Sequence, residues 1–232
     1  MAATPETRIQ TSLLSRKEKK ILVWMALRLP KWVNPDLLTW LGLAGACIAG
    51  VGYILTNFNV CFLWVSSFGL VLNWVGDSLD GTLARVRNIQ RPMYGFFLDH
   101  NVDGMTVLII CVGAGFSPLI SFSASMLILA GYFLLSIFTY INTFLKNEFK
   151  ISYGKLGPTE MRLAIIFVNT LFVFLPVDVF QITIRGNTFN LLDIIAVCIA
   201  LILFALYFGG FVMEKRKYEK MDPPPTVPNH NV

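Results

Sequence analysis

The chain has 232 residues, of which 55% are hydrophobic and only 14% charged. Soluble domains carry about 25% charged residues, so this composition excludes an ordinary soluble globular protein and points to a membrane protein. The net charge of +5 does not indicate a nucleic-acid partner, because the basic residues flank apolar spans and follow membrane topology instead.

Residues 1–15 are polar and are expected to be loose. Residues 16–32, RKEKKILVWMALRLPKW, join a basic start to an apolar stretch too short to span a bilayer. An amphipathic helix lying on the membrane surface is favoured over a signal peptide, because no small-residue cleavage site follows. Six hydrophobic spans then follow, at about 37–56, 62–82, 94–115, 118–144, 160–178 and 189–212, each near the ~20 residues that cross a bilayer. Pro92 fits the first turn of the third span, where its missing N–H does no harm. Ser117 and Pro118 mark a tight turn before the fourth. The proline-rich end, MDPPPTVPNHNV, is expected to be disordered. The expected fold is an all-α membrane protein: a bundle of six transmembrane helices with an N-terminal amphipathic juxtamembrane helix. Its expected parts are a cytoplasmic segment 1–32 with the surface helix, a six-span domain 33–213 and a disordered cytoplasmic tail 214–232.

Lysines and arginines orient these spans. Arg8, Arg16, Lys17, Lys19, Lys20, Arg28 and Lys31 precede the first span, and Arg85, Arg87 and Arg91 lie between the second and third. Lys146, Lys150, Lys155 and Arg162 lie between the fourth and fifth, and Lys215, Arg216, Lys217 and Lys220 follow the sixth. Only Arg185 falls on the other side. The positive-inside rule therefore puts both termini and the segment 77–103 at the cytoplasmic face, of a bacterial inner membrane or of the endoplasmic reticulum. Cys47, Cys61, Cys111 and Cys198 show neither metal-ligand spacing nor a disulfide framework. With only His100 and His230 present, a histidine-rich metal site is excluded. Gly42, Gly45 and Gly50 are read as allowing close helix packing. Asp178 and Asp193 fall near the opposite boundary and are read as solvated.

Four carboxylates stand out against this apolar background. In GDSLDGTLARVRNIQRPMYGFFLDHNVDG, residues 76–104, Asp77, Asp80, Gly81 and Ala84 share one helical face, and Gly95, Asp99 and Asp103 share a face of the next helix. Clustered carboxylates in a low-dielectric setting repel one another unless cations neutralise them. An all-oxygen set suits Mg2+ or Mn2+, and two ions would balance four charges.

The spacing D-x2-D-G-x2-A-R-x9-G-x3-D-x3-D, from Asp77 to Asp103, resembles the signature of the CDP-alcohol phosphotransferase family. Pro35 and Thr39 are similar to a further family element before the first span, although Asn34 precedes Pro35 here, so no role passes to Asn34. The resemblance implies an integral membrane transferase of phospholipid synthesis that displaces CMP from a CDP-linked donor with an alcohol. The donor would be CDP-diacylglycerol or a CDP-aminoalcohol, and the partners the alcohol acceptor and membrane lipids. A homodimer is compatible with this layout. Asp77, Asp80 and Asp99 would ligate metal, and Asp103 would be a ligand or the base that takes the alcohol proton. Gly81 and Ala84 would let the nucleotide approach, Arg85 would pair with a phosphate, and Thr39 and Gly95 would complete the substrate site.

Two positions keep two readings each. His100, beside Asp99, could exchange the acceptor's proton or be a structural histidine bonded to a neighbouring helix. Glu160 and Arg162 could line a polar acceptor pocket, or Thr159 and Glu160 could cap the fifth span. The Asp99-His100 pair and Gly157-Pro158-Thr159-Glu160 resemble the branch that uses CDP-choline or CDP-ethanolamine with diacylglycerol. Lys146, Lys150 and Lys155 are read as contacts to lipid phosphates. The main rival function is an ion-coupled transporter, since intramembrane carboxylates also mark ion paths. Related halves with paired broken spans are missing, however. A catalytically silent scaffold would have no reason to keep four destabilising carboxylates.

Overall fold

Unbroken apolar runs, each opened by a helix-starting residue and closed by a turn, become the long helices of this chain. The computed structural model describes residues 15–146, 158–175, 181–184 and 187–223. The described helices are α1 (Ser15–Arg28), α2 (Pro35–Leu55), α3 (Leu63–Val86), α4 (Pro92–Gly115), α5 (Phe122–Lys146), α6 (Pro158–Phe174) and α7 (Leu191–Met221). Five of them, α2, α3 with the preceding 3-10 turn, α4, α5 and α7, are long and apolar enough to cross a membrane. The expected fifth span corresponds to α6. Its 17 residues extend about 26 Å at 1.5 Å per residue. The architecture is thus that of an all-α membrane protein.

Helix α1 behaves as a surface helix. Leu22 and Ala26 are buried against Leu79 and Leu83 of α3, while Ile21, Trp24 and Leu27 are exposed. Arg87, just past α3, donates to the carbonyls of Leu29 and Pro30, both at 2.9 Å, and ties down the chain after α1. Asn34 caps α2, its Oδ1 accepting from the Leu37 amide at 2.8 Å, with Pro35 in the first turn.

Helices α2 and α3 touch along glycines. A Cβ on Gly45 would lie 2.7 Å from the Gly69 carbonyl oxygen and 3.0 Å from Asn73 Cα. Lipid offers no hydrophobic drive to bring helices together, so this backbone approach supplies the packing. Helix α2 also packs on α4, whereas α3 and α4 make little contact with each other. A gap is left between those two helices, and the carboxylates face it.

The turn between α3 and α4 is set by Asn88, whose φ of 54° is left-handed. The Ile89 amide donates to Ala84 O at 3.0 Å and the Asn88 amide to Arg85 O at 3.3 Å. This is the paired-bond C-terminal cap that asparagine or glycine permits. It reverses the chain so that α4 returns beside the same region of α2.

Two features differ from the sequence expectation. A short antiparallel hairpin, β1 (Gln181–Ile184) and β2 (Asn187–Asn190), joins α6 to α7, with Gln181 opposite Asn190 and Ile184 opposite Asn187. Its β-branched residues Ile182, Thr183, Ile184 and Thr188 favour strand pairing where hydropathy alone suggested span ends. Helix α7 also runs on to Met221, well inside the segment expected to be disordered from 214. Ion pairs Lys217–Glu214 at 2.9 Å and Lys215–Glu219 at 3.4 Å support a solvent-side extension. The positions of Arg8, Lys150, Lys155, Gly157, Asp178, Arg185 and His230 lie outside the described residues. Asp193 accepts from the Ser121 amide at 2.6 Å, so it caps the turn before α5.

Candidate active site

The site is built where the C-terminal half of α3 and the N-terminal half of α4 flank that gap. Helical spacing puts Asp77 on one wall and Asp99 and Asp103 on the other. One oxygen from each can be chosen so that all three lie within 4.8 Å of one another. All three are partly buried. A small pocket beside them is lined by Thr39, Gly42, Asn73, Asp77, Asp99, Val102, Asp103 and Thr106. The approach of Gly42 to α3, where a Cβ would come within 3.3 Å of the Asp77 amide nitrogen, brings α2 to the pocket wall.

Asp80 is set apart from this trio. It is buried, and its Oδ2 accepts from the Thr39 hydroxyl at 2.6 Å. Its Oδ1 faces the Gly81 amide. The expected four-carboxylate cluster is thus arranged as three converging groups and a fourth held by α2. Thr39, expected at the substrate, lines the pocket and also holds Asp80.

Arg162 joins the site from α6. Its Nη2 lies 2.8 Å from Asp77 Oδ2, with the guanidinium largely buried. Three converging carboxylates concentrate negative charge in a low-dielectric setting, and Arg162 offsets part of it. A hard, all-oxygen donor set of this kind fits a divalent ion such as Mg2+ or Mn2+. Thr159 does not cap α6 through its own side chain. Its hydroxyl donates to Glu18 Oε1 of α1 at 2.6 Å, and the indole N–H of Trp74 donates to the same oxygen at 3.0 Å. Glu18 therefore ties α1, α3 and α6 together behind the site, and Glu160 stands in the first turn of α6 beside it.

His100 lies against its own helix and α5. Nδ1 is 2.9 Å from the Phe96 carbonyl and 3.6 Å from Asp99 Oδ2. The ring stacks on Phe96 at 4.1 Å and meets Tyr140 edge-on at 5.2 Å. A carbonyl accepts, so Nδ1 carries the proton in the neutral ring and Nε2 is its acceptor nitrogen.

The remaining expected residues form the mouth of the gap. The Arg85 guanidinium folds back over Gly81, where a Cβ would lie 3.3 Å from Nη1, and donates to Thr82 Oγ1 at 3.1 Å. Ala84 is half-buried on the same helix. Gly95 faces open space, with nothing within 4 Å of a Cβ built there. Across the mouth, Tyr94 donates to Asp36 Oδ2 at 3.1 Å, and Arg91 stacks on the Tyr94 ring at 3.7 Å. Asn73 and Thr106 escaped the sequence reading. Their signal was positional: each lies one helical turn from a carboxylate, Asn73 before Asp77 and Thr106 after Asp103.

The profile of the family described as CDP-alcohol phosphatidyltransferase matches residues 32–207. Cholinephosphotransferase 1 of Homo sapiens is 25% identical over 175 residues, which cover 70% of this chain and 41% of the human protein. The Danio rerio protein of the same name is 26% identical over 214 residues, covering 84% of this chain and 50% of that protein. That of Bos taurus is 25% identical over 175 residues, again 41% of its length. The chain spans half or less of the length of these relatives.

Proposed function

The chain belongs to the CDP-alcohol phosphatidyltransferase family, and from that membership we propose that it transfers a phospho-alcohol group from a CDP-linked donor to an alcohol hydroxyl, releasing CMP. The convergence of Asp77, Asp99 and Asp103 within 4.8 Å carries this reading. The similarity to cholinephosphotransferases favours a CDP-aminoalcohol donor, choline above all, and a lipid hydroxyl as acceptor.

In this reaction the acceptor oxygen bonds to the phosphorus distal to cytidine. The bridging P–O bond breaks, its electrons leave with CMP, and the hydroxyl proton passes to a base. The family uses divalent cations, and here Asp77, Asp99 and Asp103 would hold one. Such an ion, when bound, neutralises charge on the diphosphate oxygens. Asp80, buried on Thr39, is the carboxylate available to a second ion.

Arg162 balances part of the carboxylate charge and presents a cation where a diphosphate would enter. Arg85, at the mouth, suits a phosphate because its planar fork donates two bonds at once. Gly95 leaves the wall of the mouth open to the nucleotide. Asp103 has two oxygens, so one can serve the cation while the other takes the acceptor proton. His100, whose Nε2 is the acceptor nitrogen of the neutral ring, is the alternative base. The basic asymmetry of the sequence supports a cytoplasmic face for this mouth.

Incubation of the purified protein with a panel of CDP-donors and alcohols, with CMP measured, tests this function. CMP release with CDP-choline and diacylglycerol supports it. No release with any donor and acceptor pair would remove it.

A further inference from the structure

Asn73 is 2% exposed and lies one helical turn before Asp77, inside a membrane-spanning helix. Its amide has a fixed orientation. Nδ2 donates to the Gly42 carbonyl at 2.9 Å, and turning the amide over would set two oxygens against each other. Oδ1 is thereby committed elsewhere, yet it is the one fully buried side-chain nitrogen or oxygen among the described residues with no hydrogen-bond partner. A bare carbonyl oxygen is costly in such a place. The single interhelical bond to Gly42 is too weak to offset that cost. A leucine of similar size would avoid the cost.

The pocket that Asn73 lines is shared with Asp77, Asp99 and Asp103. Carboxylates accept and cannot donate to Oδ1. A water bound to a cation differs, because its oxygen faces the ion and both hydrogens face outward. Residues four apart on a helix have Cβ atoms about 5–6 Å apart, and an ion about 2 Å from an Asp77 oxygen leaves space for one water before Asn73. Magnesium characteristically keeps several of its waters.

We propose that Asn73 is a positioning residue of the cation site, its Oδ1 accepting a hydrogen bond from a water on the ion held by Asp77, Asp99 and Asp103. This rests on the cation site of the proposed function, not on the identity of donor or acceptor. Asn73 then holds the hydrated side of the ion toward the bilayer interior and leaves the side toward the mouth for phosphate oxygens.

The test uses the full chain in detergent, with Mn2+ alone as the probe and free Mn2+ read by electron paramagnetic resonance. Thermal unfolding is followed with and without Mn2+. Asn73→Leu should weaken Mn2+ binding by about tenfold or more, while unfolding without Mn2+ at or above the wild-type temperature. Asn73→Asp keeps an acceptor oxygen and should bind Mn2+ at least as tightly as wild type. Equal Mn2+ affinity in wild type and Asn73→Leu would overturn this inference and leave the transferase reading intact. Absence of Mn2+ binding by the wild type would overturn the cation site itself. Should Asn73→Leu not fold, Asn73→Asp decides alone, and a tenfold loss of affinity there overturns the proposal.

Discussion

Arg162 Nη2 lies 2.8 Å from Asp77 Oδ2, so a guanidinium from α6 is bonded to the carboxylate trio. The contact converts a residue at the start of that helix into part of the site. Its removal should act on two observables in opposite directions. Arg162→Gln takes a positive charge from beside Asp77 and should tighten Mn2+ binding, by up to about tenfold or ~1.4 kcal/mol. The same change removes the cation proposed to meet the diphosphate, so KM for the CDP-donor should rise. Calorimetric titration with Mn2+ and donor-dependent CMP release measure the two. A fall in Mn2+ affinity would show that Arg162 organises the carboxylates instead of competing with the ion.

Thr39 is expected to matter through its hydroxyl. Thr39→Val keeps the shape and leaves buried Asp80 without the donor that now lies 2.6 Å away, which should cost about 1–3 kcal/mol. Thr39→Ser should recover most of this. Thermal unfolding of the three proteins in one detergent compares them.

Asn88 should tolerate only residues that adopt a left-handed backbone. Asn88→Gly is expected to be neutral, whereas Asn88→Val should destabilise by about 1–2 kcal/mol and loosen the α3–α4 reversal. Equal unfolding temperatures for the two variants would show that this cap does not set the turn.

Gly45→Leu should be far more damaging than its chemistry suggests. Any Cβ there meets the Gly69 carbonyl at 2.7 Å, so α2 and α3 must separate, moving Thr39 and Gly42 away from the site. Loss of both thermal stability and CMP release is expected. A stable variant with full activity would mean that the approach of these helices does not build the pocket.

The carboxylates were legible in the sequence because charge inside an apolar helix has few explanations and helical periodicity assigns its face. Their division into three and one was not legible. It depends on Thr39 approaching Asp80 from α2, a contact governed by packing between helices. Arg162 was left between two roles because its partner Asp77 is distant along the chain. Asn73 carries no net charge, and in a helix pattern it looks like an ordinary polar interruption until its bare oxygen is seen. The hairpin 181–190 was hidden because hydropathy does not distinguish a strand pair from the frayed end of a span. The reach of α7 to Met221 was missed for a related reason. Apolarity ends near Glu214, whereas helix propensity and Glu–Lys pairing continue.

The central claim is that the gap between α3 and α4 holds a divalent cation needed for release of CMP. The most direct measurement is CMP release by the purified chain from CDP-choline and diacylglycerol after exhaustive EDTA treatment, followed by graded return of Mg2+ or Mn2+. Release should fall to background and return with either ion, and Asp99→Ala should not be rescued. Undiminished release after EDTA, or full release by Asp99→Ala, would contradict the claim.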